Sequence, residues 1–263
     1  MGWTDSLRYF KGAAANHGID SLKKQQRSDD GLPLKAKIGS LVQLQISPFI
    51  RASGAGSLVS GPTEDDTVIR AIAHVKLDYP GDIYRYYLSV GDDGEESEKF
   101  IQVVQNDQGD IVELMYCSRL VRFIPETVED QQAFTGENGE GLGQKTYTLW
   151  RDQLSEYGFA DTVLTPVFGD NEQLDYIRDT GDGDYVPPFN GSEIRIDDAQ
   201  GVHGQEQDIW FVPYVRSLSD GSQEFLLITT SVVKSHDGDN SKRSIFVDFM
   251  VGILIEKERI TIQ

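Results

Sequence analysis

Arg70, His74, Lys76 and Arg85 are the residues of this sequence whose types and spacing best suit shared chemistry, and that chemistry is the binding of an anion. A turn at Pro80-Gly81 would pair the flanking segments antiparallel. Leu77 would then face Tyr84, Val75 would face Tyr86 and Ala73 would face Leu88, making one side wholly apolar. The other side would carry Lys76 opposite Arg85 and His74 opposite Tyr87, with Arg70 further along. Like charges directly opposed are unfavourable, so this face is expected either to pair with the protein's own carboxylates or to hold an acidic ligand.

Other chemistry is harder to place. The histidines are His17, His74, His203 and His236; no two stand at i, i+2 or i, i+4, so no local metal pair exists and no metal site is expected. Cys117 is the sole cysteine, which rules out an internal disulfide and a cysteine metal cluster, and its simplest role is a small core residue. The stretch from Gly139 to Lys145-Thr146 resembles a phosphate loop but has Gln144 where glycine must precede the lysine, and an acidic loop where a buried strand is needed. Asp179-Thr-Gly-Asp182-Gly-Asp184 and Asp237-Gly-Asp239-Asn240 space carboxylates around glycines as calcium loops do, yet neither has the twelve-residue frame with a closing glutamate, and both read as solvated turns. With 43 Asp and Glu, no carboxylate pair can be singled out for acid–base work. No cofactor is expected.

Charge is divided unevenly along the chain. Residues 1–37 hold seven Lys/Arg against four Asp/Glu, a net of +3, so the formal total of −19 leaves −22 on the remainder. A body of that sign repels phosphate backbones, which argues against nucleic acid and favours cationic partners. Within the basic arm, Trp3, Leu7, Phe10 and Ala14 share one helical face, a pattern that could dock on a protein partner or lie on an anionic membrane surface. Met1-Gly2 with Ser6 matches the loose myristoylation pattern. No apolar run approaches membrane-spanning length and no signal peptide is evident, so a cytoplasmic protein is expected.

These residues must be positioned by short apolar runs broken by Gly, Asp and Asn, the texture of antiparallel strands. Strands are expected at 38–46, 67–77, 83–90, 99–105, 111–117 and 120–124, and a connecting loop at 126–144. Leu149, Trp150, Gln153, Leu154 and Tyr157 then trace a helical face, capped by Gly158. A second β region begins near 208, with hairpin turns at Asp220-Gly221 and His236-Asp237-Gly238 and a central strand over 244–255. Pro213 points to an edge strand or a bulge. The expected fold is α+β, mostly antiparallel sheet in two β-rich regions with a few covering helices. Its segments are a basic arm (1–35), a β region (36–126) and a helix plus second β region (127–263) able to pack against the first.

Leu32-Pro-Leu-Lys-Ala-Lys-Ile-Gly-Ser-Leu-Val-Gln-Leu44, Ile69-Arg-Ala-Ile-Ala-His-Val-Lys-Leu77, Phe100-Ile-Gln-Val-Val104 and Tyr147-Thr-Leu-Trp-Arg151 resemble the YjfK-like family of uncharacterised bacterial proteins, over most of residues 32–255. The resemblance rests on strand motifs and carries no catalytic residues; its genomic association with membrane-stress proteins implies an envelope-related accessory role. The leading expectation is a non-enzymatic interaction or adaptor protein. A small acidic-ligand binding module using Arg70, His74, Lys76 and Arg85 is the alternative, and an enzyme with a dispersed acid and histidine site is the third class.

Overall fold

A computed structural model describes residues 29–62, 66–78, 81–89, 98–233 and 244–263. Its strands are β1 (Leu41–Leu44), β2 (Asp66–Leu77), β3 (Asp82–Leu88), β4 (Lys99–Gln105), β5 (Ile111–Phe123), β6 (Thr146–Trp150), β7 (Gln173–Arg178), β8 (Phe189–Ile196), β9 (Gly204–Ser217), β10 (Gln223–Val233), β11 (Ser244–Leu254) and β12 (Ile260–Ile262). The α-helices are α1 (Ser47–Gly54), α2 (Val128–Thr135), α3 (Arg151–Glu156) and α4 (Asp161–Phe168).

Eight strands close into an antiparallel barrel in the order β2-β3-β4-β5-β11-β10-β9-β8, with β8 pairing back to β2. This overturns the expected α+β arrangement of two β-rich regions with covering helices. The seams β5–β11 and β2–β8 join segments far apart in sequence, which local alternation cannot reveal. β12 and β1 extend the sheet beside β2, and β7 and β6 extend it beside β9.

Side chains fill the barrel. Ala73, Val75, Phe100, Cys117, Phe211 and Phe225 belong to one buried cluster that draws on strands all around it. Gly252 makes room in this interior, since a Cβ there would stand 2.6 Å from Met115 Sδ and 2.9 Å from Cys117 Sγ. Two further clusters cover the outside: one under α3, α4 and β7, the other under β1 and α1. The walls are therefore buried on both faces over long stretches, which is why β11 is apolar on both faces apart from Asp248 and Gly252.

Local expectations fare unevenly. Strand 99–105, the Asp220-Gly221 hairpin and the central strand over 244–255 stand as expected, whereas the His236-Asp237-Gly238 turn lies outside the described residues. The 111–117 and 120–124 segments form one strand. The loop expected at 126–144 contains α2, whose Thr127 side chain caps the Asp130 N–H. Leu149 and Trp150 belong to β6 and only a six-residue helix follows; Leu149 and Leu154 share a buried cluster across the strand–helix junction, which mimics a continuous helical face. Strand structure begins well before the expected start of the second β region near 208, with β7 and β8. Pro213 lies in a central strand, where β9 changes partner: Phe211 pairs Phe189 of β8, Tyr214 pairs Arg178 of β7, and the missing N–H falls between them.

The hairpin register also differs. Ala73 pairs Arg85, His74 pairs Tyr84 and Val75 pairs Ile83, because β2 runs on to Leu77 held by Gly191 of β8. A Cβ on Gly191 would collide with the Lys76 carbonyl oxygen, so that seam needs glycine. Lys76 consequently does not face Arg85. Arg85 shares the face of Ile83 and Tyr87 and points into the barrel, where Nη1 donates to Glu193 Oε2 at 2.9 Å and Nε to Gln102 Oε1 at 3.2 Å. The Tyr87 hydroxyl donates to the other Glu193 oxygen at 2.9 Å, and the side chains of Arg85 and Glu193 are only 6% and 2% exposed. Removing one partner of such a pair strands the other charge in the core. Glu193→Leu is expected to cost about 3–5 kcal/mol in urea unfolding, and adding Arg85→Met to recover most of it; a single-variant loss below about 1 kcal/mol would show that water reaches the pair.

Candidate functional site

The end of the barrel where β2, β4, β9 and β11 begin carries an arginine network built by two β-bulges. Regular alternation would put Arg119 and Arg122 on opposite faces of β5. A bulge at Leu120, opposite the Phe249–Met250 step of β11, turns them to the same side. A second bulge between Ile69 and Ala71 leaves Arg70 without a cross-strand partner in β3. Bulges re-aim side chains in this way, often beside functional sites.

Two carboxylates organise the guanidiniums. Glu98, just before β4, accepts Arg70 Nη2 at 2.9 Å and Arg195 Nη1 at 3.2 Å on one oxygen, and Arg119 Nη1 at 3.4 Å on the other. Asp248 of β11 takes Arg122 bidentately at 2.7 and 2.8 Å and lies 3.8 Å from Arg119 Nη1. The Arg195 guanidinium also lies over the Tyr87 ring at 4.2 Å, and its Nε donates to Asp197 at 3.2 Å. Burial works against the charge on Arg122, but the hydrogen bonds and charge of Asp248 outweigh it and hold the group above its ordinary value. Among the described residues, four arginines thus share Glu98 and Asp248, an excess of two positive charges, or one when the half-exposed Asp197 is included. Arg70 Nε is buried without a hydrogen-bond partner.

Of the residues singled out from sequence, only Arg70 belongs here. His74 and Lys76 lie on the outer surface: His74 Nε2 is 2.7 Å from Asp82 Oδ1 and stacks on Tyr84 at 4.7 Å, while Lys76 Nζ is 3.9 Å from the same oxygen. The His74 hydrogen bond holds the Asp82 carboxyl below its usual range. Arg85 is inside the barrel, so the four do not share a face. Trp3, Leu7 and Phe10 lie outside the described residues. Glu98, Arg119, Arg122, Arg195 and Asp248 escaped the sequence reading, because only the Leu120 bulge and the β2–β8 seam bring them together.

A groove of about 660 Å³ opens beside this network along the outer face of β5. Lys99, Arg119 and Arg122 line it together with Leu120, and the α3–α4 corner forms its other wall. No residue lining it is acidic. The groove at α1 and the end of β11 instead contains Glu256, and a third beside β7 contains Asp175.

A family model described as "Protein of unknown function (DUF2491)" matches residues 19–261. The chain belongs to that family. The match spans every strand of the DUF2491 barrel described above. No curated protein and no solved structure matches it.

Elsewhere in the DUF2491 chain, ionisable groups serve structure. Among the described residues no group of three or more His, Cys, Asp or Glu is placed to hold a metal. The Asp179–Asp184 turn wraps Arg178, whose guanidinium donates to the carbonyls of Thr180 at 3.1 Å and Gly183 at 2.7 Å. No helix follows Lys145-Thr146 as a phosphate loop requires; β6 begins there. Glu224, fully buried, takes the Leu58 N–H and Tyr176 hydroxyl at 2.6 Å and Arg216 Nε at 2.8 Å, tying the segment after α1 to β7 and β9.

Glu113 is different. It is buried with one carboxylate oxygen unpartnered, and burial, then the charge of Asp179, push its pKa up to about 8. The native state therefore holds this proton while the unfolded chain releases it near the ordinary 4.5. The stabilisation is complete below 4.5 and is lost as pH rises through about 8, with a limiting slope of about 1.4 kcal/mol per pH unit. Melting curves from pH 5 to 8.5 should fall for the parent and flatten for Glu113→Gln; parallel curves would show that Glu113 does not titrate in this window.

Proposed function

We propose that this protein is a non-enzymatic binding module that takes a small acidic ligand at the arginine-bearing end of its barrel. One observation carries the reading: among the described residues, four guanidiniums meet Glu98 and Asp248, with Asp197 on one of them, at one end of a filled barrel. In a field of net negative sign, a local positive excess with apolar walls concentrates anions. Glu98 and Asp248 hold the guanidiniums in place, so a ligand would meet preorganised donors. Arg70, 35% exposed, and Arg122, 41% exposed, are the groups best able to reach one.

The charge split in the sequence supports a second reading, a cytoplasmic adaptor that docks a partner through the basic arm and Trp3, Leu7 and Phe10. The resemblance to the YjfK-like proteins supports an envelope-related setting for such a role. In that case capture of a partner from native cells is lost when residues 1–31 are removed.

The leading reading is tested by titrating pyrophosphate and citrate at constant ionic strength while following thermal unfolding. Stabilisation by either anion is expected, weakened on the order of tenfold or more in Arg122→Gln and in Arg70→Gln, since each loses a charge-assisted hydrogen-bond donor. Arg51→Gln, at a residue that pairs with Asp220 and lines another groove, should leave the response intact. Equal responses in all three variants would remove the arginine end from consideration.

A further inference from the structure

Two of the arginines at the barrel end are held in the same pose. The bulge at Leu120 leaves Leu120 and Val121 in the outer cluster and turns the Arg122 side chain to the inner side of the wall, the side of Met115 and Cys117. There Asp248 grips one edge of the guanidinium, through Nε at 2.7 Å and Nη2 at 2.8 Å, and the Phe246 ring covers one face, its centroid 5.6 Å from Cζ. Arg195, across the barrel on β8, repeats the arrangement. Its Nε is on Asp197 and its Nη1 on Glu98, both at 3.2 Å, and one face lies over Tyr87 at 4.2 Å. A guanidinium is a flat group, so a carboxylate on its edge fixes the plane and a ring on one face leaves the other face to solvent. Arg122 is the more open of the two, 41% exposed against 25%.

We propose that the ligand is a planar aromatic acid, its ring stacked on the open face of Arg122 and its carboxylate on the guanidiniums of Arg70 and Arg195. This rests on the anion-binding reading above and adds the flat ring. A guanidinium face is weakly hydrated and attracted to a π cloud, so a ring placed there continues the stack that Phe246 begins. An inorganic anion binds guanidinium edges and would leave that face in water. A saturated acid would bring charge and apolar bulk but no π face. Arg70 and Arg195 meet on one oxygen of Glu98, at 2.9 and 3.2 Å, which sets two charged donors side by side for the acid group.

The probes are benzoate and cyclohexanecarboxylate, which share charge and carbon number and differ in the flatness of the ring. Each is titrated into the full chain at constant ionic strength while thermal unfolding is followed. Benzoate is expected to stabilise at a concentration about fivefold lower, the size of a partly desolvated cation–π contact. A merely apolar pocket gives the reverse order, because the saturated ring is the more hydrophobic. Arg122→Lys keeps the charge and loses the plane, so it should abolish the preference for benzoate while most of the response to pyrophosphate remains. Equal or tighter binding of cyclohexanecarboxylate by the parent chain, or a response to pyrophosphate with none to either ring acid, would overturn the stacked ring and leave the anion site standing. A benzoate preference that is the same in Arg122→Lys would take the ring away from Arg122 and overturn the proposal. Absence of any response, pyrophosphate included, would remove both readings.

Discussion

Strand β8 is the piece on which this architecture depends. It pairs β2 along one edge and the first half of β9 along the other, and without it the sheet has two open edges and no interior. Closure also decides the charge inside, because β8 carries Glu193, and pairing to β2 brings its carboxylate to Arg85 and Tyr87 of β3. The close approach of Gly191 to Lys76 belongs to the same seam. An eight-stranded barrel has just enough interior to be filled by side chains, and this one fills it with Phe, Ile, Met and a paired arginine. Function is thereby moved to the ends and the outer surface.

At the outer surface the governing effect is backbone geometry acting on charge. One extra residue at Arg70 and one at Leu120 shift guanidiniums from where alternation would place them to where Glu98 and Asp248 can share them. A half-buried guanidinium with no carboxylate beside it would be costly, and four with four partners would cancel. Four sharing two is the intermediate case. Among the described residues the network is anchored yet keeps more guanidiniums than carboxylates, within a segment, residues 38–263, whose formal net charge is −22.

How far the sequence could be read follows from how local each feature is. β4, the Asp220-Gly221 turn and the double-sided apolar strand β11 were legible because burial and turn chemistry are written within a few residues. β8 was not: Phe189–Ile196 contains Asn, Gly, Ser, Glu and Arg, and its strand character comes from two distant partners. The β2–β3 register failed for the same reason, since β8 holds β2 in pairing beyond the turn that local residues suggest. Arg70 was the one member of the network visible beforehand. Arg119-Leu-Val-Arg122 conceals its meaning completely, because a spacing of three places two strand residues on opposite faces unless a bulge intervenes.

The distribution of titratable groups bears on binding against catalysis. General acid–base chemistry needs a group poised near neutrality within hydrogen-bond reach of the substrate. The carboxyl best tuned for that is Glu113, but it sits six residues along β5 from Arg119, about 20 Å away at roughly 3.4 Å per residue, buried toward the opposite end. His74 has its Asp82 partner, yet it stacks on Tyr84 outside the barrel and lines none of the three grooves. Among the described residues, what remains around the arginines is Glu98, which accepts from Arg70, Arg119 and Arg195, and Asp248, which accepts from Arg122 with Arg119 at 3.8 Å. Guanidiniums anchored by carboxylates in this way are suited to holding and orienting an anion, which is the physical reason to look first for a bound ligand.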